Sequence, residues 1–387
     1  MAQSAQSEVP TPLSAHWIAC CVMIFCGVFL CTPVQARING LCADCHTMHN
    51  SQGDSPMTFN DSETPNNNLT RGTCLGCHAQ GGATAVVDLG TSAVPQVMHT
   101  GATDLAGGNF AYITGLKGSG AADNKGHNIS GLTGTDAVLY GPPGGINAPG
   151  HDDGTTVNTD NLSCAGTNGC HGYRLAAPTN PQGISGAHHK NVDGAMDEAT
   201  EPGNSYRFLM GVKGYESNDW QENPSAGNHN EYYGLSEPVT LGCSATSCHD
   251  SGGKGVMPPD GTMSQFCATC HGNFHTLSTS PDSSDGIGAE ASSPFIRHPT
   301  DLALPATGEY ADYTVYRLDA PVARTTVFTA SNSTVTPGSD AVMCLSCHLS
   351  HASNYPSMLR WDYSEMIAGN AGAATGTGCF GCHTTKD

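Results

Sequence analysis

Fourteen cysteines downstream of residue 37 fall into seven pairs, and in every pair the second cysteine is followed at once by histidine. Five pairs have two intervening residues: Cys42-Cys45-His46, Cys74-Cys77-His78, Cys267-Cys270-His271, Cys344-Cys347-His348 and Cys379-Cys382-His383. Two have longer loops, Cys164-Cys170-His171 with five residues between and Cys243-Cys248-His249 with four. Disulfides are the usual fate of cysteine in an exported chain, but they do not require histidine after each pair. Zinc sites built on CxxC need two further ligands from elsewhere and do not explain the adjacent histidine either. C-x-x-C-H is the attachment signature of c-type haem. Two cysteines one helical turn apart reach the two vinyl groups of a porphyrin as thioethers, and the next histidine meets the iron as proximal ligand. Extra residues between the cysteines bulge outward without moving either sulfur.

Composition makes the same demand from another side. The chain of 387 residues carries 48 Gly and 23 Pro, with only 12% charged and 6% aromatic residues. Such a chain loses much conformational entropy on folding and has few large side chains to offset it. A porphyrin offers on the order of 400 Å² of apolar surface, about 10 kcal/mol on burial at ~25 cal/mol/Å². The expected fold is therefore a multihaem cytochrome c, mostly coil with few short helices, wrapped around a continuous chain of seven covalently attached haems. The formal charge of −20 excludes a nucleic-acid binder, which needs basic patches, and disfavours an anionic membrane surface.

Residues Trp17 to Leu30 form an unbroken apolar run, too short for a spanning helix and of signal-peptide length. Val34-Gln35-Ala36 supplies small residues for cleavage, although no Lys or Arg precedes Trp17. Cys20, Cys21, Cys26 and Cys31 lie in or beside this run and are expected to leave with it. Residues 1–36 thus read as a signal peptide and 37–387 as a single heptahaem domain. Its motifs form couples at 42–78, 243–271 and 344–383, with a solitary motif at 164–171. No later segment is apolar enough to span a membrane, so the expected product is exported and soluble. The first cysteines fall at 42, 74, 164, 243, 267, 344 and 379. That sequence has no constant period, which excludes a tandem solenoid.

Second axial ligands must come from the remaining histidines. Seven of the 18 are proximal and His16 lies in the signal segment, which leaves His49, His99, His127, His151, His188, His189, His229, His275, His298 and His351. His49, His275 and His351 sit three or four residues behind a proximal histidine. At that spacing on a helical turn they share its face, so each is able to reach only a different iron. His127 and His298 lie in loops with Gly or Pro nearby, and His229 stands in NHNEYYG. Of His188 and His189, one is expected to ligate. His99 and His151 lie in Gly/Ala/Thr-rich loops and read equally as surface residues. Bis-histidine ligation leaves haems comparatively reducing, because Met/His ligation raises the potential. It also leaves no open site for substrate, so wiring is expected and not catalysis. Elsewhere, 312–318 and 325–329 alternate weakly as short strands, and Pro356 opens a short helix.

Several segments resemble those of the extracellular multihaem cytochromes of metal-reducing bacteria that polymerise into conducting filaments, the OmcS/OmcE type. They are CADCHTMHNSQG (42–53), LAGGNF (105–110), KGHNI (125–129), YRFLMGVKGYES (206–217), HNEYYG (229–234), FCATCHGNFH (266–275), IRHP (296–299), CLSCHLSHAS (344–353) and MLRWDY (358–363). The resemblance implies a coil fold around a stack of bis-histidine haems in alternating parallel and T-shaped contacts. It also implies head-to-tail self-association, with His49 ligating the iron held by His348 in the next subunit. The odd number of motifs and the two long loops depart from the family pattern.

Three functions follow as expectations. The first is an extracellular electron conduit that polymerises and passes electrons to other cytochromes or external acceptors. The second is a monomeric periplasmic or cell-surface shuttle. The third, a multihaem reductase, needs a five-coordinate iron, often with a lysine ligand, and no CxxCK occurs.

Overall fold

The computed structural model divides into two units, Met1–Ala36 and Arg37–Asp387. It describes residues 40–80, 82–90, 92–134, 142–144, 162–166, 169–174, 195–196, 202–238, 261–275, 287, 295–369 and 376–386. Residues 1–36, expected to be a signal peptide, the Cys243-Cys248-His249 motif, His151, His188 and His189 lie outside the described residues.

Among the described residues regular structure is sparse, as a Gly- and Pro-rich chain dictates. The helices are α1 (Cys42–Cys45), α2 (Cys74–His78), α3 (Ala111–Thr114), α4 (Met263–Ala268) and α5 (Cys344–Cys347). Three are little more than the attachment motif itself. α4 has a reciprocal side-chain cap: Thr262 accepts from the Gln265 amide while Gln265 accepts from the Thr262 amide, which satisfies two otherwise unpaired donors; at α5, Ser346 Oγ accepts from the Met343 amide at 3.0 Å. The last motif forms a 3-10 turn, Gly378–Gly381.

Twelve strands of two or three residues complete the described elements: β1 (Ser51–Gln52), β2 (Ser55–Pro56), β3 (Val86–Asp88), β4 (Ala93–Pro95), β5 (Ser163–Ala165), β6 (Gly169–His171), β7 (Ala195–Met196), β8 (Gly214–Tyr215), β9 (Glu231–Tyr233), β10 (Leu302–Ala303), β11 (Ala323–Arg324) and β12 (Ala341–Val342). One six-stranded sheet runs β10-β12-β11-β9-β8-β7; its pairs are antiparallel except β11 with β9. The strand expected at 325–329 lies two residues earlier, at Ala323–Arg324. Residues 312–318 contribute a single bridge, Val315 to Thr334. Pro356 opens a 3-10 turn instead of an α-helix.

The long-loop motif at Cys164 also differs from expectation. A helical turn with an outward bulge is replaced by the parallel pair β5 and β6, in register Ser163 to Gly169 and Ala165 to His171. Gly166 turns the chain at φ +85. A Cβ on Gly169 would stand 2.6 Å from the Ala165 backbone. Five intervening residues are too many for one helical turn; the Gly169 amide instead donates to Gly166 O at 2.9 Å, and the paired strands set Cys164 and Cys170 side by side.

Three small apolar clusters are buried, the largest around Tyr206, Val212, Tyr232, Met263 and Phe266. The sheet between them holds an ionic knot. Arg324 is buried and its Nε donates to Glu231 Oε2 at 2.8 Å, while its Nη1 pairs with Asp340. Breaking a buried pair by removing one partner costs about 3–5 kcal/mol. Arg324→Leu strands two buried carboxylates and is expected to lower the unfolding free energy of the haem-loaded protein, read from urea titration, by about 3–5 kcal/mol.

Candidate functional site

The attachment motifs lie side by side. The Cys77 and Cys45 thiols hydrogen-bond, as do Cys74 with Cys164 and Cys267 with Cys344. Cys170 adjoins Cys267 electrostatically, and Cys382 and Cys379 adjoin Cys347. The motifs at 42, 74, 164, 267, 344 and 379 therefore neighbour one another in chain order. Burial pushes the Cys77 thiol up to about 11 and the Cys347 and Cys382 thiols up to about 12. All the described cysteines are free. Thiols with no disulfide among them are the form that thioether attachment consumes.

The proximal histidines are held in one tautomer. His46 Nδ1 faces Asn68 O at 3.1 Å, His78 Pro95 O at 2.7 Å, His171 Arg207 O at 2.8 Å, His271 Pro143 O at 2.7 Å and His348 Ser357 O at 2.7 Å. A carbonyl only accepts, so the proton sits on Nδ1 and the lone pair on Nε2. That is the arrangement of metal-bound histidine, whose other nitrogen donates to a carbonyl or carboxylate. Three of these carbonyls share a device absent from any sequence signature. Asn68-Leu69, Arg207-Phe208 and Ser357-Met358 are tight turns in which both residues have positive φ. Non-glycine residues rarely adopt that conformation, and here it aims the first residue's carbonyl at an imidazole.

Distal candidates are set the same way. His127 Nδ1 donates to Ser350 O at 2.8 Å and His298 Nδ1 to Pro299 O at 3.0 Å. Desolvation by burial holds His78, His127, His171, His298 and His348 below the usual histidine range. It takes His271 to about 4 and His351 to about 3, with like-charge neighbours adding to the effect. At neutral pH these rings are uncharged and able to ligate.

Three of them stand opposite a proximal ring. Ring centroids are 6.2 Å apart for His127 and His271, 6.3 Å for His351 and His171, and 6.4 Å for His298 and His383. Two imidazoles bound on opposite faces of one metal place their centroids about 6.3 Å apart, given metal–nitrogen bonds of about 2 Å and about 1.1 Å from nitrogen to ring centre. No group of three or more His, Cys, Asp or Glu gathers among the described residues as a bare ion would require. Two imidazoles with room between them fit a porphyrin iron, whose remaining four ligands are its own. Gly107 makes the His351 position possible: a Cβ there would lie 2.9 Å from the imidazole.

Other expected ligands are placed differently. His229 is buried, stacks on Tyr316 at 3.8 Å, and engages both nitrogens, Nδ1 with Ser225 O and Nε2 with Glu231 Oε1, each at 3.0 Å. His275 Nε2 meets buried Asp301 Oδ2 at 2.9 Å. Neither offers its Nε2 to a metal in this arrangement, because each serves a buried carboxylate that needs a donor. His99 is buried and not a surface residue; its Nδ1 accepts from the Gly101 amide at 3.2 Å. His49 is exposed. His383 differs from the other proximal histidines in facing a carboxylate, with Glu309 Oε1 3.3 Å from its Nδ1. Burial works to raise the Glu309 carboxyl, but Lys386 and His383 outweigh it and hold it below its ordinary value.

The sparse fold, the clustered CxxCH motifs and the facing imidazoles define a multihaem c-type cytochrome. Residues 336–387 match the family model described as a doubled CXXCH motif. The chain is also similar to the C-type cytochrome OmcS of Geobacter sulfurreducens, 26% identical over 371 residues that cover 83% of this chain and 78% of OmcS. Two solved structures are also similar. One is the outer membrane cytochrome S filament of Geobacter sulfurreducens, with a TM-score of 0.40 and 20% identity over 85% of this chain and 86% of that one. The other is the OmcS nanowire, with a TM-score of 0.38 and 19% identity over 85% of each chain. At those scores the structural likenesses carry no part of the argument. Among the described residues no helix is long and apolar enough to cross a membrane.

Proposed function

We propose that this chain transfers electrons through seven covalently attached haems, and that it does so as one subunit of an extracellular filament. The observation that carries the electron-transfer reading is the set of three proximal–distal imidazole pairs at the separation of a shared iron. Bound haem supplies a one-electron couple, and two imidazoles per iron leave no position for a substrate. The residues do the rest: cysteines fix each macrocycle, carbonyls hold each Nδ1 proton, and buried segments exclude water. The proposed pairing is His127 with His271, His351 with His171 and His298 with His383. Neighbouring thiols support a path that follows the motifs in chain order. The filament reading draws on the similarity to OmcS and on the N-terminal end of the domain, where exposed His49 lies beside exposed Leu41, Met48 and Leu69. His348 supports it from the other side, since no histidine ring faces it at ligating separation among the described residues. The intact mass of the mature protein is expected to exceed its polypeptide by seven haems, with a purely low-spin absorption spectrum. Fewer attached haems or a high-spin fraction would overturn this reading.

A further inference from the structure

Five described proximal imidazoles donate to neutral backbone carbonyls, whereas His383 alone among them faces a carboxylate, Glu309, at 3.3 Å. The contact is built into the fold. Glu309 lies in the 3-10 turn Gly308–Tyr310, opened by Gly308 at φ +74. Its own carbonyl accepts from both the amide and the hydroxyl of Thr384, the residue after His383. The Tyr310 ring stands 5.2 Å from the His383 ring. Lys386 Nζ approaches the same Oε1 at 3.2 Å, half exposed, while the Glu309 side chain is only 17% exposed. Neither Oε2 nor the facing His383 Nδ1 has a hydrogen-bond partner, so Glu309 reaches the ring by its charge.

We propose that Glu309 is a positioning residue for the haem attached at Cys379 and Cys382, which it makes the lowest in potential of the six whose proximal histidine is described. This rests on the reading of His383 as an axial ligand. A carboxylate charge 3.3 Å from Nδ1 stabilises positive charge on the ring and its iron more than a neutral carbonyl does. The imidazole becomes a better electron donor, and the ferric state, with its extra positive charge, is favoured over the ferrous. Lys386 opposes this by competing for Oε1, so the Glu309–Lys386 pair sets the size of the effect. The consequence is directional. At equilibrium an electron leaves this C-terminal haem for the neighbouring ones, which gives the chain of cofactors a defined end.

The test is a reductive titration of the mature protein, followed optically and by electron paramagnetic resonance. The His298 and His383 rings cross at 85°, against 47° and 59° in the other two pairs, so this haem's ferric signal is expected to stand apart. Glu309→Gln keeps the shape and removes the charge. It is expected to raise the ferrous-to-ferric ratio of this one haem about tenfold at fixed potential, about 59 mV for a one-electron couple. Lys386→Met is expected to move the same haem the opposite way, with the other haems unchanged and the full haem mass retained in both variants. An unmoved signal in both variants, or an equal shift of every haem, would overturn the role of Glu309. A wild-type mass lacking haem on Cys379 and Cys382 would instead overturn the ligand reading beneath it.

Discussion

Made in a host that does not attach haem, residues 37–387 are expected to show no cooperative unfolding transition and to be cut by protease throughout. The described aliphatic core is three small clusters, and the strands are two or three residues long. Neither suffices against a backbone cost of roughly 1–2 kcal/mol for each ordered residue. What closes the long loops is ligation. In the proposed pairing, iron ties 127 to 271, 171 to 351 and 298 to 383, segments far apart in sequence. By analogy with a disulfide, each tie that closes a loop of about 100 residues removes about 4.7 kcal/mol of unfolded-state entropy. The thioethers add further ties, and the porphyrin faces add apolar area. Without haem, the facing imidazoles also lose the partner that justifies burying them, and a buried polar group left unmade costs about 1–3 kcal/mol. Circular dichroism, hydrogen exchange and limited proteolysis of the unattached chain check this. A sharp melt would show that the polypeptide core is enough by itself.

This dependence explains which parts of the site were legible in sequence. Thioether attachment and proximal ligation are local chemistry, so Cys42-Cys45-His46 or Cys344-Cys347-His348 announces itself within five residues. The sparse secondary structure follows from Gly and Pro content together with the need to wrap flat cofactors. Distal ligation is long-range. Nothing near His351 indicates that it faces His171, although the spacing from His348 does say that it must look away from its own motif. Neither do His229 and His275, whose Nε2 atoms meet carboxylates, differ in sequence from the histidines that face a proximal ring. Their partners Glu231 and Asp301 became buried only through the sheet and the 262–301 packing. The carbonyl cradles were equally hidden. Asn68-Leu69, Arg207-Phe208 and Ser357-Met358 contain no glycine to mark a positive-φ turn. The parallel pair that replaces a helical turn at Cys164 was not foreseen either.

His49→Ala is expected to leave all seven haems attached and to abolish polymers. His49 is exposed and follows His46, which leaves the helix extended at φ −118; in the proposed filament it serves an iron of the next subunit. Leu41, Met48 and Leu69 are exposed at 75%, 79% and 55% on the same N-terminal segment, where Leu69 O accepts from the Thr47 amide, and supply an apolar rim. In the proposed filament that rim docks against a second copy where His348, oriented by the Ser357 carbonyl, awaits a sixth ligand. The loss of one coordinate bond at every junction matters more than the loss of rim contacts, because an apolar rim of this size binds weakly unless a directional bond fixes its register. The variant therefore separates assembly from haem content. Intact mass reports attachment, and electron microscopy with sedimentation reports length. A high-spin fraction of about one haem per subunit is the expected spectral companion, arising from the vacated position opposite His348. Filaments of unchanged length would place the junction elsewhere, and monomers in the wild type at all concentrations would assign the chain to the shuttle reading.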